Sequence, residues 1–141
     1  MNSSIKPVFV VGLITMSVAI VVGISDWRAA HAKDIIPWRA DLETAKTEAK
    51  QSHHRVFAYF TASWCPPCQK MKSTTWADDT VRKSMEKFVP VKIDVDAHRD
   101  LALQFGIEQI PTFIVLSVSG EVERRTTRYL QPEDMVGWLE R

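Results

Sequence analysis

Only two cysteines occur in this 141-residue chain, and both fall in one pentapeptide, Trp64-Cys65-Pro66-Pro67-Cys68. A scaffold stapled by several disulfides is therefore excluded, so the fold must rest on an apolar core while the cysteines serve local chemistry. The preceding Val56-Phe57-Ala58-Tyr59-Phe60-Thr61 is a run of β-branched and aromatic residues that reads as a buried strand. From Pro66 to about Ser73 a helix is expected, because the missing proline N–H costs no intrahelical bond in a first turn. A two-residue spacer lets both sulfurs come within disulfide reach. A helix starting there turns its unpaired N–H groups and positive dipole end toward Cys65. That favours the Cys65 thiolate, the attacking species in thiol–disulfide exchange. Cys68, one turn further in, is expected to be the more buried sulfur and to resolve the mixed disulfide.

Apolar content is unevenly spread along the chain. Residues 7–25 carry no charged side chain and are rich in Val and Ile; as a helix they would reach roughly 28 Å, close to a bilayer core. This tract reads as a membrane-targeting signal, either a retained anchor or an export signal cut after Ala30-His31-Ala32, a small-x-small site. Both outcomes stay open. The chain divides into residues 1–32 as signal peptide or anchor and 33–141 as a single domain, with an exported, periplasmic or extracytoplasmic location expected. With 18 Lys or Arg against 17 Asp or Glu, the formal charge is +1. Such balance gives no electrostatic footprint for nucleic acid. At 45% hydrophobic and 25% charged residues, the composition excludes wholesale disorder.

Further elements follow from patterning. Leu42, Ala45 and Ala49 fall at helical spacing within residues 40–52. Asp78 or Asp79 caps a helix running to about Lys87, with Val81, Met85 and Phe88 on its apolar side. Residues 89–95 read as a second strand, and Leu101, Ala102 and Phe105 as a short helix stopped by Gly106. Phe113-Ile114-Val115-Leu116 is a third strand, and Ser119-Gly120-Glu121 turns it into residues 122–129. Arg124, Arg125 and Arg128 mark that last strand as a protected sheet edge. Pro132 opens a final helix carrying Met135, Trp138 and Leu139. The order mixes a parallel βαβ half with a closing antiparallel pair, an α/β class.

Taken together, the strand ending in Trp64-Cys65-Pro66-Pro67-Cys68, the strand Val91-Lys92-Ile93-Asp94-Val95-Asp96, and Phe105-Gly106-Ile107 leading to Ile110-Pro111-Thr112 resemble the thioredoxin superfamily over residues 40–141. The resemblance implies a thioredoxin fold, a central mixed sheet flanked by helices, here preceded by an N-terminal hydrophobic helix. It implies a thiol–disulfide oxidoreductase with Cys65 as nucleophile, Cys68 as resolving thiol and a cis Pro111 beside them. Trp64, Pro66, Pro67, Ile110 and Pro111 would then contact the client, with the Ile110 backbone free to pair with an extended peptide. The expected partners are protein thiol or disulfide clients and an upstream thiol reductant or oxidant, met as a monomer. No cofactor beyond the redox-active Cys65–Cys68 disulfide is expected, and no metal. Residues 70–72 and 76–81 look more like exported domains related to the C-terminal domain of DsbD-type reductases than like cytosolic thioredoxin. The Cys-Pro-Pro-Cys spacer is also similar to that of membrane-tethered proteins that reduce apocytochrome cysteines.

Two departures from the family pattern concern charge. Tyr59 stands where thioredoxin has a buried Asp six residues before the nucleophile, although Lys92 matches the family's strand lysine. The usual carboxylate that takes the resolving thiol's proton is thus expected to be missing. Lys72 stands where DsbD-type domains carry an acid. Less negative charge near the sulfurs favours thiolates and shifts the couple in the oxidising direction relative to thioredoxin. Two other readings of the cysteines are a static disulfide and a metal- or client-binding module without turnover, in which His53, His54 or His98 would join them as ligands.

Overall fold

A computed structural model describes residues 34–141 of the chain; the apolar tract of residues 7–25 and the Ala30-His31-Ala32 site lie outside the described residues. Nine helices and strands and one 3-10 turn follow in order: α1 Leu42–Ser52, β1 Arg55–Thr61, α2 Pro66–Ser73, the 3-10 turn Thr75–Ala77, α3 Asp79–Met85, β2 Phe88–Asp94, α4 Arg99–Gln104, β3 Thr112–Leu116, β4 Val122–Thr127 and α5 Pro132–Leu139. The sheet order is β2-β1-β3-β4. β1 runs parallel to β2 and antiparallel to β3, and β3 is antiparallel to β4. This is the mixed sheet flanked by helices that the resemblance implies.

Local chemistry accounts for the element ends. Asp41 starts α1 by accepting from the Thr44 amide at 2.6 Å, so the helix begins two residues later than the composition suggests. His53 closes it in the left-handed conformation, φ 56°. Asp78 caps α3 through the Thr80 and Val81 amides at 2.8 and 3.0 Å. Gly106, φ 58°, ends the α4 segment in the conformation that favours glycine. Phe88, expected on the apolar side of α3, is instead the first residue of β2. Its ring still packs into the same core, at 6.4 Å from that of Phe57.

Strand β1 is buried along Val56–Phe60 because helices cover both sheet faces. Phe57 and Tyr59 face the core built by α2, the 3-10 turn, α3 and α5. Val56, Ala58 and Phe60 face the core under α1 and α4. The first core is aromatic: Phe57 lies within 6.4 Å, centroid to centroid, of Trp38, Trp76, Phe88, Phe113 and Trp138, in mostly tilted or edge-on pairs, the geometry such rings prefer.

The two sheet edges are closed differently. Along β2 the segment before α1 is stitched on: the Arg39 amide donates to Pro90 O at 2.8 Å and Arg39 O accepts from the Lys92 amide at 3.0 Å. On β4, Arg124 donates to Trp138 O at 2.9 Å and Leu139 O at 3.4 Å, while Arg125 donates to Phe105 O and Gly106 O. These arginines thus do more than guard an edge. They satisfy carbonyls at the C-terminal ends of α5 and α4, where a cation also meets the negative end of the helix dipole.

Phe57→Ala removes a side chain with no solvent exposure and is expected to destabilise the chain by about 3–5 kcal/mol. Leu103→Ala, at a position 82% exposed, should change stability by less than about 0.5 kcal/mol. Chemical denaturation of both variants checks this; losses of similar size would contradict the two-sided core.

Candidate active site

Pairing of β1 with β3 places Phe60 opposite Thr112. The turn after Thr61 and the loop before Thr112 therefore meet at one end of the sheet. In that turn the Cys65 amide donates to Ala62 O at 3.3 Å, and Gln69 Nε2 holds Ser63 O at 2.6 Å. Cys65 is the N-cap of α2, with Pro66 and Pro67 as the first two helical residues. Its Sγ accepts from the Cys68 amide at 3.3 Å, so one of the helix's free N–H groups does point at this sulfur. Cys65 and Cys68 form a disulfide, with Cα atoms 5.3 Å apart.

The expected difference in burial between the sulfur residues is not found, since Cys65 is 2% and Cys68 4% exposed in this oxidised pair. Both belong to the aromatic core. What separates them is their surroundings. Cys68 lines a cleft of about 240 Å³ together with Asp34, Tyr59, Lys72, Lys92 and Asp94. Cys65 caps the helix beside Trp64, which lines a second cleft.

The second cleft, about 100 Å³, is lined by Trp64, Val95, Ile107, Glu108, Gln109 and Ile110. Trp64 is 64% exposed, yet its indole Nε1 is anchored by donating to Asp96 Oδ2 at 2.7 Å. Ile110–Pro111 is a cis peptide, with Pro111 buried and Ile110 half-buried. Trp64 and Ile110 are thus brought together over one cleft, and Tyr59, Lys72 and Lys92 around the other. Pro66 is exposed and Pro67 half-buried at the helix start between them.

Tyr59 and Lys92 are register partners on β1 and β2. Burial pushes the Tyr59 phenol above its ordinary value, and the nearby Asp34 charge acts in the same direction, so this group stays a neutral hydroxyl at physiological pH. A carboxylate from another part of the chain lines the same cleft as Tyr59 and Cys68. Asp34 precedes the first strand, and its side chain, 10% exposed, pairs with Lys92 Nζ at 2.8 Å. It also accepts from Trp38 Nε1 at 2.8 and 2.9 Å and from the Ile36 amide at 3.1 Å. Nothing in the sequence singles out Asp34, which follows closely on the expected cleavage site and lies far in sequence from Lys92. Asp94 and Asp96, read only as a strand end, prove to line the Cys68 cleft and to hold Trp64.

The charge expectation changes accordingly. Asp34 and Asp94 line the Cys68 cleft together with Lys72 and Lys92, so two acids offset the two lysines there. Lys70 points away, its Nζ 4.7 Å from the Tyr129 ring centroid. His53 and His54 lie where α1 meets the start of β1, at the opposite end of that strand from Cys65. Among the described residues no three His, Cys, Asp or Glu side chains are grouped to hold a metal.

Comparison with known proteins follows the same residues. The model of a thioredoxin-like family matches residues 37–117. Thioredoxin H4 of Arabidopsis thaliana is 36% identical over 92 residues, which span 65% of this chain and 70% of that protein. Among solved structures, a DsbH oxidoreductase superposes with a TM-score of 0.67 at 18% identity, covering 77% of this chain and 85% of its own. The oxidised C-terminal domain of DsbD from Neisseria meningitidis gives 0.58 at 23%, covering 73% and 97%. At these identities the two structures speak for the fold.

Lys72 shares the Cys68 cleft, so exchanging it for an acid destabilises the thiolates of the reduced pair and lowers the reduction potential. For Lys72→Glu the expected fall is about 10–20 mV, since solvent screens an exposed charge. Equilibration with a glutathione buffer measures it, and an unchanged or higher potential contradicts the placement of this charge.

Proposed function

The chain belongs to the thioredoxin-like family and is a thiol–disulfide oxidoreductase, and on that premise we propose that it acts outside the cytoplasm, exchanging disulfides with protein clients through Cys65 and Cys68. The observation that carries this reading is the single Cys65–Cys68 disulfide at the N-terminus of α2, where Cys68 lines an ion-paired cleft and the exposed Trp64, next to Cys65, lines a second. A structural staple has no need of either. Export is supported by the charge-free tract of residues 7–25, serving as cleaved signal or retained anchor.

In the reducing direction the Cys65 thiolate attacks one sulfur of the client disulfide. A Cys65–client bond forms, the client's own S–S bond breaks, and its first sulfur leaves as a thiolate that takes up a proton. Cys68 then gives up its proton and attacks Cys65 Sγ. The Cys65–Cys68 bond closes, and the client's second sulfur leaves and is protonated. Two electrons have passed from the pair to the client. An upstream thiol donor restores the reduced pair. The reverse sequence, fed by an oxidant, places a disulfide in a dithiol client.

In this reading Trp64, Pro66, Pro67, Ile110 and Pro111 form the client platform. The domain of residues 33–141 works as a monomer and needs no cofactor beyond its own disulfide.

Cys68→Ala leaves the attacking sulfur without a resolving partner. In the native host it is expected to accumulate mixed disulfides with client proteins, visible as slower bands on non-reducing gels and dispersed by dithiothreitol. Cys65→Ser should abolish both these bands and the reduction of a disulfide-linked peptide. Exchange that persists in Cys65→Ser contradicts the assignment of roles.

A further inference from the structure

We propose that Glu108, in the loop before Pro111, makes this chain selective for clients that carry a lysine or arginine beside the cysteine that Cys65 attacks. The proposal rests on the exchange reading above and deepens it by naming a client class. Exchange passes through a mixed disulfide, so the client residues that flank the bonded cysteine lie over the surface around Cys65. Trp64, next to Cys65 in the chain, lines a cleft of about 100 Å³ on that surface together with Val95, Ile107, Glu108, Gln109 and Ile110.

The chemistry of that cleft fits an alkyl stem ending in a cation. Val95, Ile107 and Ile110 supply apolar surface for the stem, and Glu108 is the one charged side chain among the lining residues. None of the ion pairs among the described residues involves Glu108. Arg125, which reaches the start of this loop, donates to Phe105 O and Gly106 O instead. The exposed Trp64 is held by its edge, Nε1 donating to Asp96 Oδ2 at 2.7 Å. That bond leaves the ring faces open to a cation and brings a second carboxylate to the rim.

The loop that carries Glu108 is fixed on either side. The Ile107 amide donates to Ala102 O at 2.8 Å, and Thr112 Oγ1 donates to Gln109 O at 2.7 Å. The Glu108 backbone is thus in place before a client arrives, which lowers the ordering cost of binding. The other cleft does not select by sign, because Asp34 and Asp94 offset Lys72 and Lys92 there. Lys70 is turned to the Tyr129 ring. Uncompensated charge is therefore found on the Trp64 side, and it is negative. It favours a cation over a neutral residue and a neutral residue over an acid. An exposed ion pair and an exposed cation–π contact are each modest, so the preference is several-fold and not absolute.

Fluorogenic disulfide-linked peptides whose reacting cysteine is flanked by lysine, by glutamine or by glutamate test this with the pre-reduced full chain in detergent. Each second-order rate constant is divided by that of free dithiothreitol with the same peptide, which cancels the peptide's own reactivity. At low salt the wild type is expected to favour the lysine peptide over the glutamine peptide by about fivefold, and the glutamate peptide should be the slowest. The preference should shrink at about 1 M salt, where exposed charges are screened. Glu108→Gln should bring the lysine-to-glutamine ratio to about twofold or less, and Glu108→Lys should reverse the order of lysine and glutamate. Each ratio compares peptides on one preparation, so a loss of folded protein does not alter it. A wild type that takes all three peptides equally overturns the proposal, as does a lysine preference that survives Glu108→Gln undiminished. A chain that reduces none of the three overturns the exchange reading itself, a separate failure.

Discussion

Two-sided burial of β1 is the constraint on which the other features depend. Its odd-numbered aromatics Phe57 and Tyr59 and its even-numbered Val56, Ala58 and Phe60 enter different cores, so a slip by one residue would exchange the two sets and leave neither core filled. Register in turn decides where the strand ends, and the strand's end decides where Cys65 begins α2. The same pairing sets Tyr59 beside Lys92 and Phe60 beside Thr112. Packing therefore positions the chemistry without any binding energy from a client.

Charge around the sulfurs is organised by depth. Trp64, exposed and anchored through Asp96, presents an apolar rim on one side. On the other side Asp34 and Lys92 form a pair whose acid is nearly buried and whose base is about one-third exposed. A lone carboxylate in such a place would carry a large desolvation cost, whereas one met by an ammonium, an indole N–H and a backbone amide is compensated. The family's buried acid has been replaced on β1 by a tyrosine, and a segment outside the sheet carries a carboxylate into the same cleft.

Much of this was legible along the chain. The β1 run, the proline-opened α2, the glycine after α4 and the cap of α3 are local signals, and each sits within a residue or two of its expected place. The Cys65–Cys68 turn carried its chemistry in five residues. What could not be read were contacts between distant segments: Asp34 with Lys92, Trp64 with Asp96, and Arg124 and Arg125 with the ends of α5 and α4. None of these leaves a period or a motif, because each is set by the sheet order and not by neighbours in sequence. The expected burial of Cys68 over Cys65 failed for a related reason, since the disulfide draws both residues into the aromatic core.

Above all, Cys65–Cys68 must be a working couple. Equilibrating the folded full-length chain across a series of thiol–disulfide buffers, and following the fraction of alkylatable cysteine, measures this directly. A reversible two-electron titration with a midpoint between about −270 and −120 mV, the span of catalytic dithiols, is the predicted result. A midpoint below about −300 mV, or reduction that occurs only when the chain unfolds, would mark the disulfide as a staple and contradict it.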